Sequence, residues 1–138
     1  MSKNIGTDVK KTILKECLRL AKEKNKKRDD DLNRHFNFVI QENKILEIGQ
    51  NRSKAPSQTL FGYPETSGIH SENDAYRKAK GLLDPNKSFE VVNIRLNKQN
   101  EIKISKPCPC CYNLIRSVGA KVIYFSTDCG FAKISLGD

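Results

Sequence analysis

The sequence predicts an α/β fold in which one mixed sheet of five strands is covered by helices. Three observations lead there. Stretches with apolar residues at helical spacing alternate with short runs rich in β-branched and aromatic residues. Their order is helix, two strands, helix, strand, helix, two strands, which argues for a single layered sheet. The chain has 138 residues, 37% of them hydrophobic and 30% charged, which fits one domain with one core. The predicted organisation is one domain over residues 1–138, with a basic N-terminal helix in 1–28 and the body in 29–138.

Thr7 and Asp8 are suited to start the first helix, because a side-chain oxygen can accept from free first-turn amides. Ile13, Leu14, Cys17, Leu18 and Ala21 then recur on one face. The helix should end within Lys22–Arg28, and Asp29 to Asp31 form a polar connection. Phe36, Phe38 and Ile40 alternate with Asn37 and Val39 as a strand. A tight turn over Gln41–Lys44 leads to a second strand, Ile45–Ile48, ended by Gly49. Residues 50–68 contain Pro56, Gly62, Pro64 and Gly68 with little periodicity and read as a long loop.

A second helix is expected from His70 to Leu82, with Ala75 and Ala79 on one face, broken by Asp84-Pro85-Asn86. Phe89–Leu96 reads as a strand, and Glu101–Ser105 as extended chain. Pro107 is placed to open the third helix, whose buried face is Leu114, Ile115 and Val118 and whose cap is Gly119. Lys121–Ser126 and Phe131–Leu136 are strands joined by the turn Asp128-Cys129-Gly130.

No apolar run reaches the roughly 18 residues of a membrane span. The start of the chain lacks the apolar region of a signal peptide, and five unevenly spaced cysteines make a poor disulfide framework. These features predict a cytoplasmic protein with no membrane partner. The net charge is +9, of which +7 falls in residues 1–28 and only +2 in the remainder. A solvated helix face is the simpler reading of that asymmetry, and a nucleic-acid contact the functional one.

Two short segments carry chemistry: Ile69-His70-Ser71-Glu72 and Lys106-Pro107-Cys108-Pro109-Cys110-Cys111. Cys108 and Cys111 are three apart at an expected helix start, so both sulfurs can reach one ion. The positive end of a helix favours thiolates, and imidazole with thiolates suits zinc. His70 supplies the third ligand. Three protein ligands leave the fourth tetrahedral position open, as in catalytic zinc sites. Glu72 stands two residues past His70, where it can shuttle protons. A structural zinc site would need a fourth ligand from Cys110, Cys17, Cys129 or His35. Cys110 should point off the shared face, Cys17 sits on the apolar stripe, Cys129 lies in a turn, and His35 reads as structural.

His-x-Glu followed by Pro-Cys-x-x-Cys resembles the signature of the cytidine deaminase superfamily. The assignment of His70, Cys108, Cys111 and Glu72 as one set rests on that resemblance as well as on spacing. The resemblance runs from the Phe36–Ile48 hairpin to the last strand. It implies a three-layer α/β/α sandwich around a mixed five-stranded sheet, a Zn2+ cofactor, a hydrolytic activity and homo-oligomers. It further implies that Asn51, in Gly49-Gln50-Asn51, contacts the sugar and that the Ser71 backbone amide contacts the base carbonyl. Arg52 and Lys54 then lie where a 5′-phosphate would sit, as a bidentate guanidinium and a point charge.

The implied substrate is cytosine in a free nucleoside or nucleotide: cytidine, deoxycytidine or (d)CMP. A histidine ligand with Gly-x-Asn is similar to the deoxycytidylate, tRNA and APOBEC-type branches. The short ending after Ser126, one turn and one strand, resembles the antiparallel ending of cytidine deaminases instead. Ser-Trp-Ser-Pro-Cys is absent, the chain has no tryptophan, and aromatics for base stacking are few. Two alternatives stand beside this reading: a deaminase of single-stranded DNA, RNA or tRNA, and a non-catalytic zinc-bearing interaction module. Intact Glu72 argues against the second.

Overall fold

The stripe Ile13, Leu14, Cys17, Leu18 and Ala21 lies on one helix, α1 (Lys11–Lys26), in the computed structural model, which describes residues 9–28, 34–51, 71–106 and 109–136 and, within them, not the side chains of Asn73, Pro109 and Cys110. Cys17 and Ala21 are fully buried. The helix starts later than Thr7 or Asp8 would place it, and those two lie outside the described residues. Lys10 holds the cap position without a side-chain cap, and its N–H donates to Asn43 Oδ1 at 2.8 Å. A neighbouring turn therefore does what a local cap residue was expected to do. At the other end Asn25 Nδ2 donates to Asn97 O at 3.0 Å and Asn100 Oδ1 at 2.6 Å. Arg19 pairs with Glu16 and Glu23 on the exposed side, contacts that solvent screens and that add little to stability.

Strands β1 (Arg34–Gln41) and β2 (Lys44–Gln50) form the expected hairpin. Glu42 and Asn43 both have left-handed φ, 53° and 57°, as a two-residue turn matched to strand twist requires. After α2 (Ser71–Ala79) come β3 (Glu90–Leu96), the two-residue β4 (Ile102–Lys103), α3 (Pro109–Ser117), β5 (Val122–Thr127) and β6 (Gly130–Ser135). The sheet runs β2-β1-β3-β5-β6. Only β3 and β5 are parallel among these neighbours, so the sheet is mixed. β4 is a sixth strand off that path: Ile102 and Lys103 pair with the end of β3, where only extended chain was expected. β6 returns antiparallel to β5, as expected of the short ending.

The two sheet faces bury different sets. Phe36, Phe38, Ile40, Val92, Ile94, Leu96, Val122 and Tyr124 pack with Cys17 and Ala21 of α1. Val39, Val91 and Ile123 pack with Ala75 and Ala79 of α2 and Ile115 of α3. The result is the three-layer α/β/α arrangement. The alternation in β1 is therefore not inside against outside, since nearly all of that strand is buried.

Two helix ends differ in how well their sequence announces them. α2 stops at Ala79 rather than Leu82, where Gly81 and then Asp84-Pro85 make helix costly. α3 ends as expected: Gly119 has φ 98°, and Ala120 N–H donates to Ile115 O at 3.2 Å.

Candidate active site

Gly49 lies within β2, paired with Asn37, rather than ending the strand. A Cβ there would fall on the backbone of Ser71 and Ala75. The missing side chain is what lets the start of α2 lie directly on β2. Asp74, fully buried, adds a second tie: its Oδ2 accepts from Gln50 N–H at 3.0 Å and pairs with Lys78 Nζ at 3.1 Å. The first turn of α2 is thus fixed to the end of β2.

That turn carries Ser71 and Glu72, both buried. Glu72 Oε1 accepts from Ser71 Oγ at 3.2 Å, and Oε2 accepts from Asn93 Nδ2 at 2.7 Å. The same Asn93 nitrogen donates to Ser105 O at 3.2 Å, and Asn93 Oδ1 accepts from Asn37 Nδ2 at 2.8 Å. Asn37 and Asn93 are cross-strand partners on β1 and β3, 0% and 1% exposed. Ser105 is held by donation of its N–H to Ser126 O at 2.9 Å and leads into the cysteine segment. Cys111, in the first turns of α3, is fully buried, and α3 contacts α2.

Asn51 follows β2. Its Oδ1 accepts from His35 N–H at 3.0 Å and from Arg28 Nη1 at 2.8 Å, and its N–H donates to His35 O at 3.3 Å. His35 Nδ1 lies 3.3 Å from Ser105 Oγ. Arg28, counted in the sequence with the basic helix, therefore reaches the proposed sugar contact, with its guanidinium 6.0 Å from the Phe36 ring centre.

Of the residues expected at the site, Ser71 and Glu72 lie on the first turn of α2, where Glu72 meets Asn93 of β3, Asn51 lies past the end of β2 against the start of β1, and Cys111 lies in the first turn of α3. His70, Cys108, Arg52 and Lys54 lie outside the described residues. Among the described residues no three metal-ligating side chains converge. Of the alternative fourth ligands, Cys17 is buried on α1 at the opposite sheet face and Cys129 is exposed in the β5–β6 turn, while His35 lies beside Asn51 and Ser105. Burial, the largest cause, pushes the Cys17 thiol up to about 12, which makes it a poor thiolate donor. The side chain of Cys110 lies outside the described set.

Sequence reasoning missed Asn37, Asn93 and Arg28. A signal for the first two was present: each interrupts a run of strand residues, Phe36-Asn37-Phe38-Val39-Ile40 and Val91-Val92-Asn93-Ile94. A buried amide needs partners, so two such interruptions invite a search for a shared polar site.

The layering and sheet order define a three-layer α/β/α protein with a mixed sheet, whose parallel pair sits beside an antiparallel edge. No family model matches the chain, and no curated protein sequence matches it. Solved structures do. A cytidine deaminase from Burkholderia pseudomallei aligns with TM-score 0.61 and 18% identity, over 94% of this chain and 95% of that one. The dCMP deaminase of cyanophage S-TIM5 in apo form aligns with TM-score 0.55 and 19% identity, over 82% and 81%. Its complex with dCMP and dUMP gives TM-score 0.54 and 19% identity, over 83% and 80%. The chain has the cytidine deaminase-like fold.

Proposed function

We propose that this protein is a zinc-dependent hydrolytic deaminase that converts cytosine to uracil in a free nucleoside or nucleotide. The observation that carries the reading is Glu72: a buried carboxylate on the first turn of α2, held by Asn93 and Ser71, on a helix that contacts α3, whose first turn carries the buried Cys111. The names of the structural neighbours, cytidine and dCMP deaminases, support cytosine as the base.

His70, Cys108 and Cys111 are the residues that would hold the metal. The donor chemistry fits: one imidazole and two thiols, with Cys111 buried near a helix start, and with the Glu72 carboxylate already engaged by protein donors. Bound zinc lowers the pKa of water so that hydroxide is available near neutral pH. The chain's own residues do the rest. Glu72 takes a proton from the water whose oxygen bonds to C4 and passes it to ring N3; it then takes the remaining proton from the C4 hydroxyl and delivers it to the amino group. The C4–N bond breaks as the C4–O bond becomes a carbonyl, so that cytosine and water become uracil and ammonia. Asn51 receives the sugar, the Ser71 amide the base carbonyl, and Arg52 and Lys54 a 5′-phosphate.

One observation favours a second reading, a polynucleotide deaminase: Lys11, Lys15, Lys26 and Lys27 are exposed along α1. The test is a panel of cytosine and adenine nucleosides, nucleotides and oligonucleotides, with products detected by mass and zinc by elemental analysis. Turnover of a free cytosine nucleoside or nucleotide with about one zinc per chain is expected. Deamination of oligonucleotides alone would replace the first reading with the second. A metal-free chain inactive on every substrate would overturn both.

A further inference from the structure

Resting on that reading, we infer that Asn93 is the positioning residue for the Glu72 carboxylate, and that Asn37 sets the direction in which the Asn93 amide points. An amide has one face that donates and one that accepts. Asn93 meets two acceptors on one side, Glu72 Oε2 at 2.7 Å and Ser105 O at 3.2 Å. Its oxygen must then face Asn37, whose Nδ2 donates to it at 2.8 Å. That commits the Asn37 amide as well, and Asn37 Oδ1 is left buried with no hydrogen-bond partner among the described residues.

The arrangement is costly as pure architecture. An unsatisfied buried acceptor is unfavourable, and apolar side chains on β1 and β3 would avoid it. What it secures is a donor aimed at one oxygen of Glu72, at a short 2.7 Å. Of the two donors to the carboxylate among the described residues, the Ser71 hydroxyl at 3.2 Å is the looser. The second Asn93 proton fixes Ser105, which stands three residues before Cys108. One amide therefore holds the proton shuttle and the chain entering the cysteine segment in a common frame.

The experiment is a double-mutant cycle of Asn93→Leu with Glu72→Ala, read as kcat and KM on the substrate the panel identifies, with zinc content measured throughout. A 1 Å misplacement of a catalytic group can cost about 10²-fold, so Asn93→Leu should lower kcat by about that factor with KM and zinc little changed. In the Glu72→Ala background the same change should cost nothing further, because its effect passes through the missing carboxylate. Asn37→Asp, which offers Asn93 an acceptor and so competes for its donor face, should lower kcat more than Asn37→Ala. If Asn93→Leu fails to fold, the side-chain amide resonances of Asn93 in the wild-type protein supply the readout. They should be protected from exchange and should shift in Glu72→Ala.

Multiplicative losses in the cycle, or unmoved Asn93 resonances, would overturn the positioning role while an active wild type keeps the proposed function. A wild type inactive on every substrate overturns the function and this role together.

Discussion

Toward α1, strands β1 and β3 present Phe36, Phe38 and Ile40 beside Val92, Ile94 and Leu96. Toward α2 and α3, the same two strands present Val39 and Val91 and then, one register step on, Asn37 and Asn93. The Asn37–Asn93 pair lies on the α2 and α3 face, where Asn93 bonds Glu72. Strands buried on both sides usually read as near-continuous apolar runs. On the α2 side the departure from that pattern, Asn37 with Asn93, reaches Glu72, whereas on the α1 side buried Arg34 bonds Asn25 of the covering helix. One side contributes stability through burial. The other gives some of it up to hold a carboxylate in place.

Perturbations should sort by face. The largest effect is expected from Glu72→Ala, which should keep the fold and zinc but lose at least about 10²–10⁴-fold in turnover. Steady-state kinetics with zinc analysis would check this, and retention of most activity would break the comparison. On the opposite face, Phe38→Ala should cost about 3–5 kcal/mol in denaturant unfolding and leave the kcat of folded protein unchanged. Gly49→Ala tests the seam between helix and sheet. It should cost about 1–3 kcal/mol through overpacking, and it should also lower kcat, because α2 carries Glu72.

A finer test concerns the basic charge. Neutralising Lys22, Lys24, Lys26 and Lys27 should leave turnover of a nucleoside or nucleotide unchanged, whereas Arg28→Met should raise KM, since Arg28 donates to Asn51. Equal effects of the two sets would show that Arg28 belongs functionally with the helix. The smallest signal is chemical. In native protein the exposed Cys129 should react with a thiol reagent at neutral pH. Cys17, whose thiol burial pushes up to about 12, should not.

Periodicity and turn chemistry made the element order and mixed sheet legible, because each helix or strand is set by its own residues. The Glu42-Asn43 turn and the Gly119 cap are such cases. What escaped depends on partners distant in sequence. The start of α1 is secured by Asn43, in the β1–β2 turn, so the search for a local cap at Thr7 or Asp8 misplaced it. β4 exists only because the end of β3 offers it unpaired groups. At the site, the motif residues were visible as a pattern, while Asn37, Asn93 and Arg28 gain their meaning from contacts 21 to 56 positions away.

The two ends of α1 are fastened to the rest of the protein. Val9 N–H donates to Tyr124 Oη at 3.1 Å at one end, and Asn25 bonds the Asn97–Asn100 turn at the other. The helix that carries much of the basic charge is therefore also the roof over Phe36, Phe38 and Ile94. Deleting it to ask whether nucleic acid binds there would strip an entire sheet face and expose an aggregation-prone apolar surface. Lysine-to-glutamine exchange, which preserves helix propensity while discharging the surface, separates the two roles that truncation would confound.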